Sequence, residues 1–140
     1  MRAKLINDHD QRVFAVIFDT GEDPMPGLAR FAAEHDLSAS SFTAIGAFSA
    51  ATLGYFDWEK KDYEGIPVRE QVEVLSLIGD IAAGKVHAHV VLGKRSGAAC
   101  GGHLLAAQVR PTLEVIVTES PGHLQRKHDP ASGLSLIRIE

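Results

Sequence analysis

The sequence predicts an α+β fold: a mostly antiparallel or mixed β-sheet with one main helix packed on it. Short apolar runs rich in β-branched and aromatic residues recur along the chain, at 12–18, 42–48, 51–56, 72–78, 85–91 and 112–118, with glycine, proline and small polar residues between them. Only the stretch from Pro24 or Met25 to His35 carries its apolar residues at helical spacing. The 140 residues suit one domain, 1–140, large enough to bury its own core, and 45% apolar against 23% charged residues excludes disorder.

Arg12 to Phe18 is the first expected strand, and because it is apolar on both faces it reads as a central strand covered twice. Gly21, Pro24 and Pro26 end it, and Asp23 supplies an N-cap for the helix. Leu28, Phe31, Ala32 and His35 then fall on one helical face, which packs on the sheet. His35 ends that helix, where a cation suits the dipole, and no chemistry is expected of it.

After a polar joint at 38–41, two short strands, 42–48 and 51–56, are expected on either side of a small-residue bend that lets backbones or another subunit approach closely. Asp57 to Gly65 reads as an exposed hairpin loop holding Trp58 and Tyr63 among charges. Trp58 either packs on its own hairpin or covers a neighbouring subunit or ligand entrance. In the strand Val72–Ile78, Glu73 is an acid where both faces are expected to be covered, so it needs a partner.

A turn is expected at 79–85, then a histidine-bearing hairpin, then, beyond Pro111, a strand at 112–118 with Glu114 facing away from Leu113, Val115 and Val117. The tail 119–133 reads as a loop with His123 and His128 at the surface, and 134–139 as a short closing strand.

The chemistry concentrates between Lys85 and Leu105. His87 and His89 are two apart on a strand and so project from one face. Gly97 lets the chain double back, and Gly101-Gly102 bring His103 to the start of the returning strand. A bare His-x-His is more often a hydrogen-bonded or surface pair than a ligand pair. A third imidazole converging on the same point makes a transition-metal site, zinc above all, with a coordination position left for water or substrate.

Such an ion lowers the pKa of its water or polarises a bound carbonyl, and either activity needs a proton donor or acceptor nearby. Glu73, Arg110 and Glu114 are the candidates for that second shell, and no catalytic residue is named by the sequence. Cys100 reads as a small buried thiol in preference to a ligand. Without a metal, the histidines would bond across a subunit interface and make assembly pH-sensitive.

Charge and motifs narrow the functional classes. The net charge is −4, and the basic pairs Lys60-Lys61, Lys94-Arg95 and Arg126-Lys127 have acids close by, which argues against binding led by nucleic-acid phosphates. No run of eighteen apolar residues and no apolar N-terminal stretch is present, so a membrane location is not expected and a cytoplasmic one is. The single cysteine agrees. Gly93-Lys94-Arg95-Ser96 lacks the glycine spacing of a phosphate loop, and Gly-x-Ser-x-Gly and Cys-x-x-Cys are absent.

Several blocks, in order, resemble those of the PPC family, the plant and prokaryote conserved domain also called DUF296. They are Gly21-Glu22, Ser41 to Phe48, Leu53 to Phe56, Val72 to Asp80, His87-Ala88-His89, Gly101 to Leu104 and Arg110 to Val117, so the resemblance spans about 12–120. It implies an α+β domain that forms trimers, stands alone in bacteria and archaea, and in plants is joined to AT-hooks. It also implies metal in some stand-alone members and a fold similar to the zinc-dependent acetolactate decarboxylases, which hold their metal with three histidines.

In the plant relatives the block around Glu73 is associated with partner recognition, but here the usual Arg-Phe before the acid is Gln71-Val72, and the Arg-Gly-Arg-Pro of an AT-hook is missing. The first expectation is therefore a homotrimeric domain binding zinc or another divalent transition metal on His87, His89 and His103, with a small carbonyl or carboxylate ligand. The second is a DNA-binding or transcription-regulator-associated trimer. A purely structural trimer is the third.

Overall fold

The computed structural model describes residues 1–7, 11–120 and 125–138. Among the described residues nine strands and one helix follow in the order β1 (Arg2–Asn7), β2 (Val13–Asp19), α1 (Pro24–Glu34), β3 (Ala39–Asp57), β4 (Asp62–Val68), β5 (Val72–Ala82), β6 (Lys85–Gly93), β7 (Ala99–Glu119), β8 (Gln125–His128) and β9 (Ser135–Arg138). All pairings are antiparallel. β3 pairs with β5, β5 with β6, β6 with β7 and β7 with β3, so four strands close on themselves; β2 and then β1 extend the sheet from the far half of β7, and β4 lies along the end of β3.

Closure gives each of these four strands an inside and an outside. Phe42, Phe48, Leu77, Ile81, Leu92, Leu104, Leu113 and Val115 are buried inside. α1 packs on this core through Leu28 and Phe31, mainly over β7, with the Phe31 ring 5.2 Å from that of Phe14 and Gly27 lying against Phe18. Its start is as expected: the Asp23 carboxylate accepts from the Met25 N–H at 3.0 Å, with Pro24 in the first turn.

Several boundaries differ from the expectations, for identifiable reasons. β1 was not expected. β2 buries only Phe14, Val16 and Phe18, while Val13, Ala15 and Ile17 stay half-buried, so it is covered once and not twice. The two strands expected at 42–48 and 51–56 are one 19-residue strand, β3, because the small residues bend it through register shifts near Gly46, Phe48 and Thr52 without ending its pairing with β7. β5 runs on to Ala82, leaving a tight turn at Ala83-Gly84 where a longer one was expected; both residues have positive φ, 51° and 72°.

Pro111 does not interrupt β7, because it falls where the β3 ladder steps from Val109 to Leu113 and before the β2 ladder begins at Thr112. The expected loop at 57–65 shrinks to a turn, with Asp57 and Asp62 already paired. β8 forms within the expected tail loop, pairing with β9. Glu73 is exposed, since β5 too is covered on one face only, and it needs no buried partner.

Candidate metal centre

The outward positions of β6 and β7 carry the histidines. Ala88, Val90 and Leu92 of β6 are buried inside, which sends His87 and His89 to the outer side. In the ladder His89 stands opposite His103 of β7 on one side and Ile78 of β5 on the other, while His87 stands opposite Asp80. The glycines of the hairpin permit the approach: a Cβ on Gly101 would lie 2.6 Å from the Val90 carbonyl oxygen.

One candidate ligand atom from each of His87, His89 and His103 lies within 4.8 Å of the other two. Ring centroids are 5.0 Å apart for His87 and His89, 5.1 Å for His87 and His103, and 5.5 Å for His89 and His103. His87 and His103 are half-buried and His89 is exposed. Burial first, then the charges that His87 and His89 would carry, hold the His103 pKa down at about 4. Burial also lowers that of His87, against the opposing pull of Asp80.

His87 and His103 are consequently disposed to be neutral, the form that binds metals. His103 Nδ1 is buried without a protein hydrogen-bond partner, the condition that a metal or a water bound to it would relieve. Donor type, number and convergence all fit a transition-metal ion.

Three residues that sequence reasoning did not single out for the site surround the triad. Asp80 Oδ2 lies 3.8 Å from His87 Nδ1, and Asp80 Oδ1 accepts from an Arg126 guanidinium nitrogen at 2.5 Å. Arg126, its side chain only 9% exposed, also donates to the Ser135 carbonyl at 2.7 Å and so ties the β8–β9 hairpin to the barrel. Tyr63 of β4 stacks on His103 with centroids 4.3 Å apart and planes 27° apart, and burial raises the pKa of its phenol.

Gly54 makes room for that ring, since a Cβ there would meet Tyr63 Cδ1 at 2.8 Å. Asp80 carried a legible signal, an acid at the end of an apolar strand with outward parity to His87's partner face. Arg126 carried none, because its partners are 46 and 9 residues away in sequence.

The proposed second shell is not gathered here. Glu73 pairs with Gly93, four residues along β6 from His89, about 13 Å at strand rise. Glu114 lies opposite Ile17 and Ile45, with β3 and β5 between it and β6 on that side of the barrel. Arg110 is exposed seven residues along β7 from His103, its carbonyl accepting from Gln71 Nε2 at 2.8 Å. Cys100 packs on the core opposite Leu92. His35 packs on Phe14 and Phe31, His128 is exposed, and His123 lies outside the described residues. Trp58 stays 62% exposed with its ring edge toward Phe56 at 6.3 Å.

A closed antiparallel barrel with a single helix and three outward histidines on its β6–β7 hairpin defines a class of small α+β domains with a candidate metal centre. The sequence profile of the Plants and Prokaryotes Conserved domain matches residues 6–121, and the chain belongs to that family. It is similar in structure to a plant- and prokaryote-conserved protein of Pyrococcus horikoshii, with 30% identity, 92% of each chain covered and a TM-score of 0.86.

It is likewise similar to a metal-containing protein of Archaeoglobus fulgidus, with 33% identity, 98% of this chain and 96% of that one covered and a TM-score of 0.82. A protein of Bacteroides thetaiotaomicron, named only provisionally as DNA-binding, has 25% identity, 98% and 97% coverage and a TM-score of 0.85. At the level of fold alone, α-acetolactate decarboxylase of Bacillus subtilis aligns with 11% identity over 76% of this chain and 51% of its own, at a TM-score of 0.53. A search of curated protein sequences finds no significant match.

Proposed function

We propose that this chain is a metal-binding domain that holds zinc, or another divalent transition metal, on His87, His89 and His103 and presents it to a small carbonyl or carboxylate ligand. The observation that carries this reading is the convergence of three imidazoles within 4.8 Å, one with a buried nitrogen lacking any protein partner. The metal content of the similar Archaeoglobus protein supports it. When bound, the ion supplies Lewis acidity toward a bound water or oxygen. The chain's own part is to hold the rings: Asp80, fixed by Arg126, orients His87, and Tyr63 braces His103 by stacking.

Elemental analysis of the untagged protein is the test. About one metal per chain, lost in His89→Ala and His103→Ala, is the expected result; a metal-free protein after equilibration with zinc refutes the reading.

The same reading includes self-assembly as a homotrimer. Ile45, Leu75, Ile78 and Ile116 are 60%, 55%, 54% and 43% exposed on the outer face of adjacent strands, a contiguous apolar surface of the kind that marks an interface. It borders His89 through the Ile78 pairing, so a second copy seated there would stand beside the metal. Sedimentation equilibrium with Ile45→Glu tests this, the expected outcome being dissociation to monomers. The unpaired Cys100 suits the reducing cytoplasm.

The alternative, a DNA-binding or transcription-regulator-associated trimer, draws on the provisional name of the Bacteroides protein and is opposed by the net charge of −4. Salt-dependent binding to duplex DNA near physiological ionic strength would favour it.

A further inference from the structure

Two cavities meet at the histidines from different sides, and their linings differ in charge. One, about 440 Å³, is bordered by Thr43, Ile78, Asp80, His87 and His89; it contains the acid and opens onto the apolar face. The other, about 270 Å³, lies between the barrel and the β8–β9 hairpin, bordered by Tyr63, Lys85, His87 and His103 on the barrel side and Arg126 and Leu136 on the hairpin. Among the described residues no carboxylate lines the second cavity, and two cations do.

Arg126 is committed to Asp80 and cancels its charge. The Lys85 ammonium has only a long contact, 3.5 Å, with Ser135 Oγ. Three neutral imidazoles would leave the full charge of a divalent ion uncompensated, so the cavity's balance is positive. The rest of its wall is apolar: Val86, Leu134, Leu136 and the faces of the rings.

We infer that this cavity is the ligand compartment, and that it takes a short-chain organic carboxylate whose charged end meets the metal and Lys85 and whose apolar end lies against Leu134 and Leu136. The inference rests on the metal reading above and extends it by choosing one side of the triad and one charge type. The size sets an upper bound on the ligand, because 270 Å³ holds roughly nine water-sized groups. The β8–β9 hairpin thereby acquires a role: Arg126 pins it to Asp80, and the pinned hairpin supplies the apolar wall.

The experiment uses full-length protein loaded with cobalt(II), whose visible absorption reports its coordination, with metal content measured on the same samples. Straight-chain carboxylates from acetate to decanoate are titrated by absorption and calorimetry, beside butanol, butylamine and inorganic phosphate. Affinity is expected to rise with chain length to a maximum and fall once the cavity is full, with the alcohol and amine at least tenfold weaker. Lys85→Met should weaken carboxylates about tenfold, and Leu136→Trp, at a position 38% exposed, should abolish the chain-length preference while metal content stays unchanged.

A metal-loaded protein whose spectrum and heats ignore every carboxylate overturns the compartment and leaves the metal reading standing. Inorganic phosphate binding as tightly as the best carboxylate, or Leu136→Trp binding like the parent, overturns it as well. Failure to load any metal overturns both readings and is seen separately in the metal analysis.

Discussion

The inner and outer faces of the same four strands have opposite logic. Inside, Phe48 and Leu92 are fully buried and every alternate residue finds a packed partner within the chain. Outside, Ile45 and Ile78 are equally apolar yet 60% and 54% exposed, and the polar positions in the same rows are occupied by Asp80, His87, His89 and His103. Burial within the chain explains the first set. The second set fits the function proposed above, in which an ion meets the imidazoles and another copy of the chain covers the isoleucines.

The sharpest way to break this comparison is to truncate one residue of each kind. Phe48→Ala should cost about 3–5 kcal/mol in urea unfolding, the lost transfer energy plus an unfilled cavity. Ile45→Ala should cost no more than about 0.5 kcal/mol at dilutions where the chain is monomeric. Its penalty should grow with protein concentration, because the stabilisation it removes is that of association. A concentration-independent cost would mean that the outer face is not an interface.

Next in size is loss of a first-sphere donor. His89→Ala should weaken zinc at least a hundredfold in competition with a chromophoric chelator. Asp80→Asn, which leaves the imidazoles in place and removes the group that orients His87, should weaken it about ten- to a hundredfold. Equal effects of the two substitutions would mean that Asp80 binds the ion itself.

These predictions also mark what the sequence could carry. His87 and His89 share a face because strand periodicity is strictly two, and the glycines announced the turn that returns His103; both are local signals. α1 was legible to its cap for the same reason. Strand ends were not, because β3 and β7 continue through small residues and Pro111 only by virtue of partners far away in sequence. Glu73 misled because an apolar run on both faces reads as burial, whereas the outer half of that run is exposed within the chain. Asp80 and Arg126 meet across 46 residues through a hairpin that the tail's composition does not announce.

A smaller effect separates the two faces by pH. His103 is held at about 4 by burial and by its neighbouring imidazoles, and His87 is lowered in the same direction. Between the ordinary histidine value of 6.5 and about 4, the unfolded chain takes up a proton that folded His103 refuses. Stability of the metal-free protein is therefore complete above that window and falls as pH drops through it. The Tm of wild type should decline from pH 6.5 to 4 more steeply than that of His103→Gln, measured in the presence of a chelator. Parallel declines would place the pH dependence elsewhere.

The smallest expected effect belongs to an ion pair remote from both. Arg12 of the segment before β2 donates twice to the Glu119 carboxylate at the end of β7, through Nε at 2.6 Å and a terminal nitrogen at 2.5 Å. That pairing holds the Glu119 pKa below its ordinary 4.5. A depressed carboxylate contributes stability that is present above its unfolded value and is lost as pH falls below it. Both side chains are roughly a quarter exposed, so Glu119→Gln should cost no more than about 1 kcal/mol at pH 7, a cost that shrinks as pH falls below 4.5. Because this loss sets in below pH 4.5 and that of His103 begins at 6.5, an acid titration of the double variant Glu119→Gln/His103→Gln should flatten both segments of the curve independently. Interaction between the two substitutions would show that the histidine end and the β2–β7 end of the barrel are energetically coupled.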